Sequence, residues 1–393
     1  MMDRIFISIA SYCDPLLIKT ILDALQKARY PDRLRFGVVE QHLPEHRMTL
    51  ADDAAKSLVR YIGVMPQESR GVCWARSVAN GLYEGEEYFL QIDAHMLFDE
   101  HWDVKLTDTL EACPPKSLLS SYPNHFEMID GVPTPQPVTH KVLAHVVKPD
   151  QTLTDANPIL LFQAIPLEVE HAVRGFHLAG GCLFGPGRFL TEVPYDPRLY
   201  FHGEEQTLAA RAYTHGWDIW HPCGLPLYHY YDLKPEENKR EKHWSEASNA
   251  QRYRKHWEFE QMALERVISL LYQRQDLGVY GLGRHRSLDE YCEFSGLNYS
   301  QRTIQERARL GIWGQAQISR DSRSKEANMS TINIDGQEYD LDSLSAEAKS
   351  QLQMIQLTDA EIARLNAQLA IAQTARRAYA VALQQALGSG LKN

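Results

Sequence analysis

FLQIDAHMLFDEHWD, residues 89–103, is an apolar strand that stops abruptly on Asp93 and His95. Phe89, Leu90 and Ile92 read as strand core, the near-continuous apolar pattern of a strand buried on both faces. The acidic residue and the imidazole that follow it fall at the carboxyl end of this strand, where open α/β sheets bind their ligands. Two such side chains, two positions apart, can face one divalent cation. The stretch is therefore a candidate site for a metal and a diphosphate.

Working outward, the preceding chain alternates in type. IFISIA (5–10) reads as a strand, DPLLIKTILDALQKA (14–28) as an amphipathic helix with Pro15 in its first turn, and LRFGVVEQ (34–41) as a second strand. A third strand near Val59 to Val64, a helix over about residues 73–83 and the strand ending at Asp93 continue the pattern. Alternation of this kind predicts an α/β fold with a mostly parallel sheet flanked by helices.

Beyond the strand, residues 113–175 are rich in proline and turn residues, which predicts an irregular insertion or acceptor-side strands rather than further βα units. FHLAGGCLFGPGRFL (176–190) carries four glycines, suited to a backbone that must approach a ligand closely. A helix is expected from Glu204 to a stop at Gly216, followed by the strand DIWHP. Residues 235–256 are strongly charged and aromatic and read as a lid, with a helix after them. Residues 1–316 are expected to form the main domain. The polar stretch 317–330 reads as a linker. In 331–393 a tight hairpin is expected around Asp335 and Gly336, then a helical tail. The tail repeats apolar or small residues at three-four spacing and cannot bury that seam alone, so it predicts homo-oligomerisation or packing on the main domain.

Composition narrows the function classes. The chain has 393 residues, 44% hydrophobic and 23% charged, with a formal net charge of −10. That balance argues against a nucleic-acid-binding surface over the whole molecule. Cys13, Cys73, Cys113, Cys182, Cys223 and Cys292 show no paired spacing and read as reduced thiols of a cytoplasmic protein. No window reaches the length of a membrane span, and the first residues carry too short an apolar run for a signal peptide.

Further candidates gather around the strand end. His229, in PLYHYYDL (226–233), would add a second imidazole to Asp93 and His95. A histidine among aromatics usually just packs; beside an Asp-x-His pair it becomes a third ligand. Carboxylate with imidazole suits Mn²⁺ or a similar first-row ion better than Ca²⁺. GVCWAR (71–76) opens a helix, so its amides and Arg76 can face an anion or hold the metal-site carboxylate. Glu204 and Glu205 open another helix, either as complements to its dipole or as carboxylates near a sugar hydroxyl or a developing oxocarbenium ion.

SIASYCDP, GVCWARS, QIDAHMLF, AGGCLFG, FHGEEQTLAAR and the PLYHYY histidine, taken together and in this order, resemble the retaining N-acetylglucosaminyltransferases that include the enzyme modifying hydroxyproline on Skp1. The resemblance covers roughly residues 3–235. It extends to the polypeptide N-acetylgalactosaminyltransferases, with their Asp-x-His motif and later histidine. It implies a GT-A glycosyltransferase fold, a UDP-sugar donor (UDP-GlcNAc), Mn²⁺ or another divalent cation, and a hydroxyl-bearing protein or glycan acceptor. Asp93, His95 and His229 would hold the metal on the diphosphate. Ser8, Ala10, Tyr12, Asp14 and Gln41 would line the uridine and ribose pocket, with Arg76 bracing the nucleotide side. Gly180 and Gly181 would lie against the donor sugar, and Glu204 or Glu205 would bind its hydroxyls or face the acceptor. Cys13 stands where many relatives have Arg, which bears on the uridine contact and not on the metal site. Two other readings stay open from the residues themselves, a metal-dependent sugar-nucleotide hydrolase and a non-catalytic sugar-nucleotide-binding scaffold.

Overall fold

The computed structural model describes residues 3–231 and 241–310, with the backbone of residues 331–334 and 337–340. Two compact units divide the chain, Met1–Gly314 and Gln315–Asn393. In the second, Thr331–Ile334 and Gln337–Asp340 pair as antiparallel strands. The expected linker at 317–330, the hairpin's central residues and the helical tail lie outside the described residues.

The first unit begins with β1 (Ile5–Tyr12), β2 (Leu34–Gln41), β3 (Val59–Val64), β4 (Tyr88–Asp93), β5 (Met96–Phe98), β6 (Ser117–Ser120) and β7 (Asn124–Ile129). It continues with β8 (Val132–Pro135), β9 (Val142–Val147), β10 (Phe162–Leu167), β11 (Val173–Gly175), β12 (Cys182–Pro186), β13 (Asp218–His221) and β14 (Leu227–His229). Eight of these form one sheet in the order β11-β13-β6-β12-β4-β1-β2-β3. The fold is α/β. β4, β1, β2 and β3 are parallel neighbours, as the alternation predicts. The other half is mixed, because β12 runs antiparallel to both β4 and β6. Residues 113–175 explain the difference, since they supply short strands in place of the crossover helices that hold strands parallel.

Period-two alternation along the strands covers the sheet on both faces. Ile5, Ile7 and Ile9 pack with Leu17, Ile21 and Trp102, on the side of helices Leu17–Lys27 and Trp102–Glu111. Phe6 and Phe89 pack on the opposite side with Cys73, Leu208 and Val267. The helix expected over 73–83 spans Val72–Asn80, and the one opening at Glu204 spans Glu204–Thr214. Phe89, Gln91 and Asp93 thus share the face that meets helix Val72–Asn80. That is why the strand's terminal carboxylate meets Arg76.

The carboxyl ends of β1, β2 and β4 open along one edge, with β2 and β4 on opposite sides of β1. A small sheet ordered β5-β14-β7-β8 stands beside this edge. Antiparallel pairing sets His229 opposite Met96, and Tyr230 N–H donates to the His95 carbonyl at 3.1 Å. A segment 134 residues further along the chain is thereby brought to the Asp-x-His motif.

Candidate active site

Asp93, His95 and His229 converge, each offering a ligand atom within 4.8 Å of the others. His95 Nε2 and His229 Nε2 are 2.9 Å apart, and His229 Nε2 is 3.2 Å from Asp93 Oδ2. Two imidazole nitrogens and a carboxylate oxygen facing one point fit a first-row divalent ion such as Mn²⁺. Burial alone would raise the Asp93 carboxyl, yet the His229 hydrogen bond and the Arg76 guanidinium hold it well below the ordinary carboxylate range. It stays an anion at any working pH.

The backbone around His95 is fixed from helix Leu17–Lys27. Thr20 Oγ1 donates to the Ala94 carbonyl at 2.9 Å and accepts from Met96 N–H at 2.8 Å, bracketing His95. Asp23 Oδ2 accepts from Phe98 N–H at 2.9 Å. On the outer side, His95 Nδ1 lies 2.9 Å from Asp14 Oδ2.

Arg76 joins this cluster to a second one. Its Nη2 donates to Asp93 Oδ1 at 2.7 Å, and its Nη1 donates to Glu204 Oε1 at 2.6 Å. Glu204 Oε2 accepts from the Tyr195 hydroxyl and from the Cys73 thiol, both at 2.9 Å. Burial would lower the Arg76 guanidinium, but Glu204, Tyr195 and Asp93 raise it well above its ordinary range. Burial and Glu204 likewise push the Cys73 thiol well up, so it stays protonated. Glu205 turns the other way. Its Oε1 accepts from Gly180 N–H at 2.7 Å, and Oε2 lies 3.7 Å from the buried His177.

Two cavities flank the cluster of Asp93, His95 and His229, and Asp93 and His229 line both. One, of about 330 Å³, is walled by Ala10, Tyr12, Asp14, Gln41 and His95 at the ends of β1, β2 and β4. The other, of about 320 Å³, is walled by Arg76, Gly181, Glu204, Glu205, Tyr122 and Tyr231. Two expectations change here. Ser8 lies too deep in β1 to line the first cavity, and its hydroxyl donates to Asn80 Oδ1 at 2.6 Å. Arg76 opens onto the second cavity instead of bracing the first, because β4 alternation faces it toward Asp93 and Glu204. Gly181 lines the second cavity, and both glycines also make room for site side chains. A Cβ on Gly180 would stand 2.4 Å from Glu204 Oε1, and one on Gly181 would stand 2.5 Å from Asp93 Oδ2.

Several residues here carry no sequence signal. Ser69 Oγ donates to Gln41 Oε1 at 2.5 Å, fixing that side chain in the wall of the first cavity. Arg252 is buried and donates to the Tyr12 hydroxyl at 2.5 Å and to His243 Nδ1 at 2.8 Å. The described part of the expected lid, from residue 241, is thus packed on the first cavity through His243 and Arg252; residues 232–240 lie outside the described residues. Tyr195 and His177 reach the site from positions that no local pattern marks.

The sequence model of a family described as Glycosyltransferase (GlcNAc) matches residues 4–57 and 45–301. The chain belongs to this glycosyltransferase family. The match runs through every element that builds the two cavities, so the candidate site lies inside the family region. Comparison with curated proteins gave no match. Among solved structures, that of GalNAc-T7 with UDP, GalNAc and Mn²⁺ is similar at 15% sequence identity and a TM-score of 0.46. The similarity covers 59% of this chain and 45% of that one, so less than half of that protein's length is spanned. Among the described residues no helix is long and apolar enough to cross a membrane.

Proposed function

We propose that this glycosyltransferase has a GT-A fold and transfers N-acetylglucosamine from UDP-N-acetylglucosamine to a hydroxyl of a protein or glycan, with retention at the anomeric carbon. The carrying observation is that Asp93 and His229, two of three converging metal-type ligands, line both cavities. A diphosphate bridging a nucleoside on one side and a sugar on the other needs such an arrangement. The kinship with the Skp1-modifying enzymes, and with it the choice of N-acetylglucosamine, rests on the sequence motifs.

Asp93, His95 and His229 would hold a divalent ion, which neutralises charge growing on the departing diphosphate. Tyr12 and Gln41 take the nucleoside, and Gln41 is held for it by Ser69 and by its own bond to the Ser11 carbonyl. Glu205 is the glutamate offered to the sugar, since Glu204 is buried and has both oxygens engaged by Arg76, Tyr195 and Cys73. Arg76 and Glu204 then act through Asp93, setting the angle of its carboxylate. Retention follows if the acceptor hydroxyl attacks on the face that UDP leaves. The new C–O bond forms as the bond to the diphosphate oxygen breaks, and the hydroxyl proton passes to that oxygen. No side chain is required as nucleophile or base.

Release of UDP from a panel of UDP-sugars tests the donor, and the anomeric configuration of the product, read by NMR, tests the stereochemistry. The reading expects Mn²⁺-dependent release favouring UDP-N-acetylglucosamine and an α-linked product. Preference for UDP-glucose or UDP-N-acetylgalactosamine would overturn the donor assignment, and a β-linked product would overturn retention. All six cysteines are free thiols, which supports a reducing cytoplasmic setting. Pairing of two chains through the helical tail of residues 331–393 completes the proposal. In sedimentation the full chain is expected at twice its own weight and a chain ending at Ser330 at its own weight; the same oligomeric state for both would overturn the pairing.

A further inference from the structure

We infer that Asp14 is a positioning residue of the metal centre, holding His95 in the orientation and tautomer that leave Nε2 to the cation. The inference rests on the metal reading of the site, and it gives Asp14, in the wall of the first cavity, the further task of supporting a ligand. Asp14 follows β1 by two residues. The intervening Cys13 adopts a left-handed conformation, φ 46°, and its N–H makes the last backbone bond to β2, at the Gln41 carbonyl. The chain turns there, and the Asp14 side chain swings from the end of β1 across to the segment that follows β4. It is 8% exposed. Oδ1 accepts from Leu16 N–H at 2.9 Å, which fixes the carboxylate plane, and Oδ2 lies 2.9 Å from His95 Nδ1.

An ionised carboxylate can only accept, so the contact assigns the His95 proton to Nδ1 and leaves the lone pair on Nε2, 2.9 Å from His229 Nε2. Thr20 holds the peptide groups on either side of His95, so ring and backbone are fixed independently. Asp14 also lines the nucleotide cavity, and a pure nucleoside contact is the competing role.

Asp14→Asn in the full chain separates the two, since Asn keeps the acceptor for Leu16 but no longer compels a proton on Nδ1. Mn²⁺ is titrated without nucleotide, with free Mn²⁺ read by electron paramagnetic resonance, and UDP is titrated separately in EDTA. The expected result is Mn²⁺ binding weakened about 10- to 100-fold, a larger loss than any in UDP binding in EDTA. Mn²⁺ binding equal to wild type would overturn the inference while leaving the metal centre standing. A wild-type chain that binds no Mn²⁺ would instead overturn the metal reading, and the inference with it. A second readout needs no variant, as histidine ¹⁵N spectra of the metal-free wild type should show His95 protonated on Nδ1. The Nε2-protonated form would overturn the inference.

Discussion

At Arg76 one guanidinium keeps two carboxylates together, Asp93 beside His229 and Glu204 on the buried side. Removing one partner of a buried charge network leaves the others uncompensated, which costs about 3–5 kcal/mol. Arg76→Ala is therefore expected to lose that much stability in urea denaturation and to lose Mn²⁺ binding as well. A variant as stable as wild type would show that the network is not held by Arg76. Asp93 and His95 were legible at this scale because their signal is local, an apolar strand ending on two polar ligand types. His229 became legible only in company with them. Tyr195 and Cys73 were not, because their roles arise from contacts with Glu204, whose own choice between two helix-start carboxylates is made by packing. Ser8 was misplaced because alternation gives a residue's face but not its depth below the sheet edge.

Among the elements, helix Leu17–Lys27 does more than cover a face of the sheet. Thr20 on its buried side supplies the hydroxyl that satisfies one carbonyl and one N–H around His95. Thr20→Val keeps the shape and removes the hydroxyl, leaving buried backbone groups without partners. The expected cost is about 1–3 kcal/mol, together with weaker Mn²⁺ binding, read by denaturation and metal titration on the same protein. Unchanged metal affinity would mean that the helix supports the strand and not the site. Strands β1 to β4 could be read from the sequence because apolar runs and intervening amphipathic helices mark them. The direction of β12 could not, since the insertion before it has no periodicity that would set it.

Across the whole molecule, buried neutral histidines tie stability to pH. Burial lowers His145 and His177, pushes His221 down to about 4 and, with Arg252 nearby, pushes His243 down to about 3. Unfolding exposes each to an ordinary value near 6.5, so between about pH 6.5 and 4 the unfolded chain binds protons that the folded chain refuses. Stability then falls with falling pH, by about 2 kcal/mol from pH 7 to 5 for His221 alone. The urea midpoint should drop across that range, and a flat midpoint would refute the assignment of these rings as neutral. The α/β class and the family were accessible from ordered motifs spread over the chain, whereas the two-cavity layout needed the pairing of β5 with β14. The most direct test of the account is UDP release from UDP-N-acetylglucosamine by wild type and Asp93→Asn, each with Mn²⁺ and with EDTA. The account predicts release by wild type with Mn²⁺ and loss in the other three conditions; release that survives EDTA or the Asp93 substitution would contradict it.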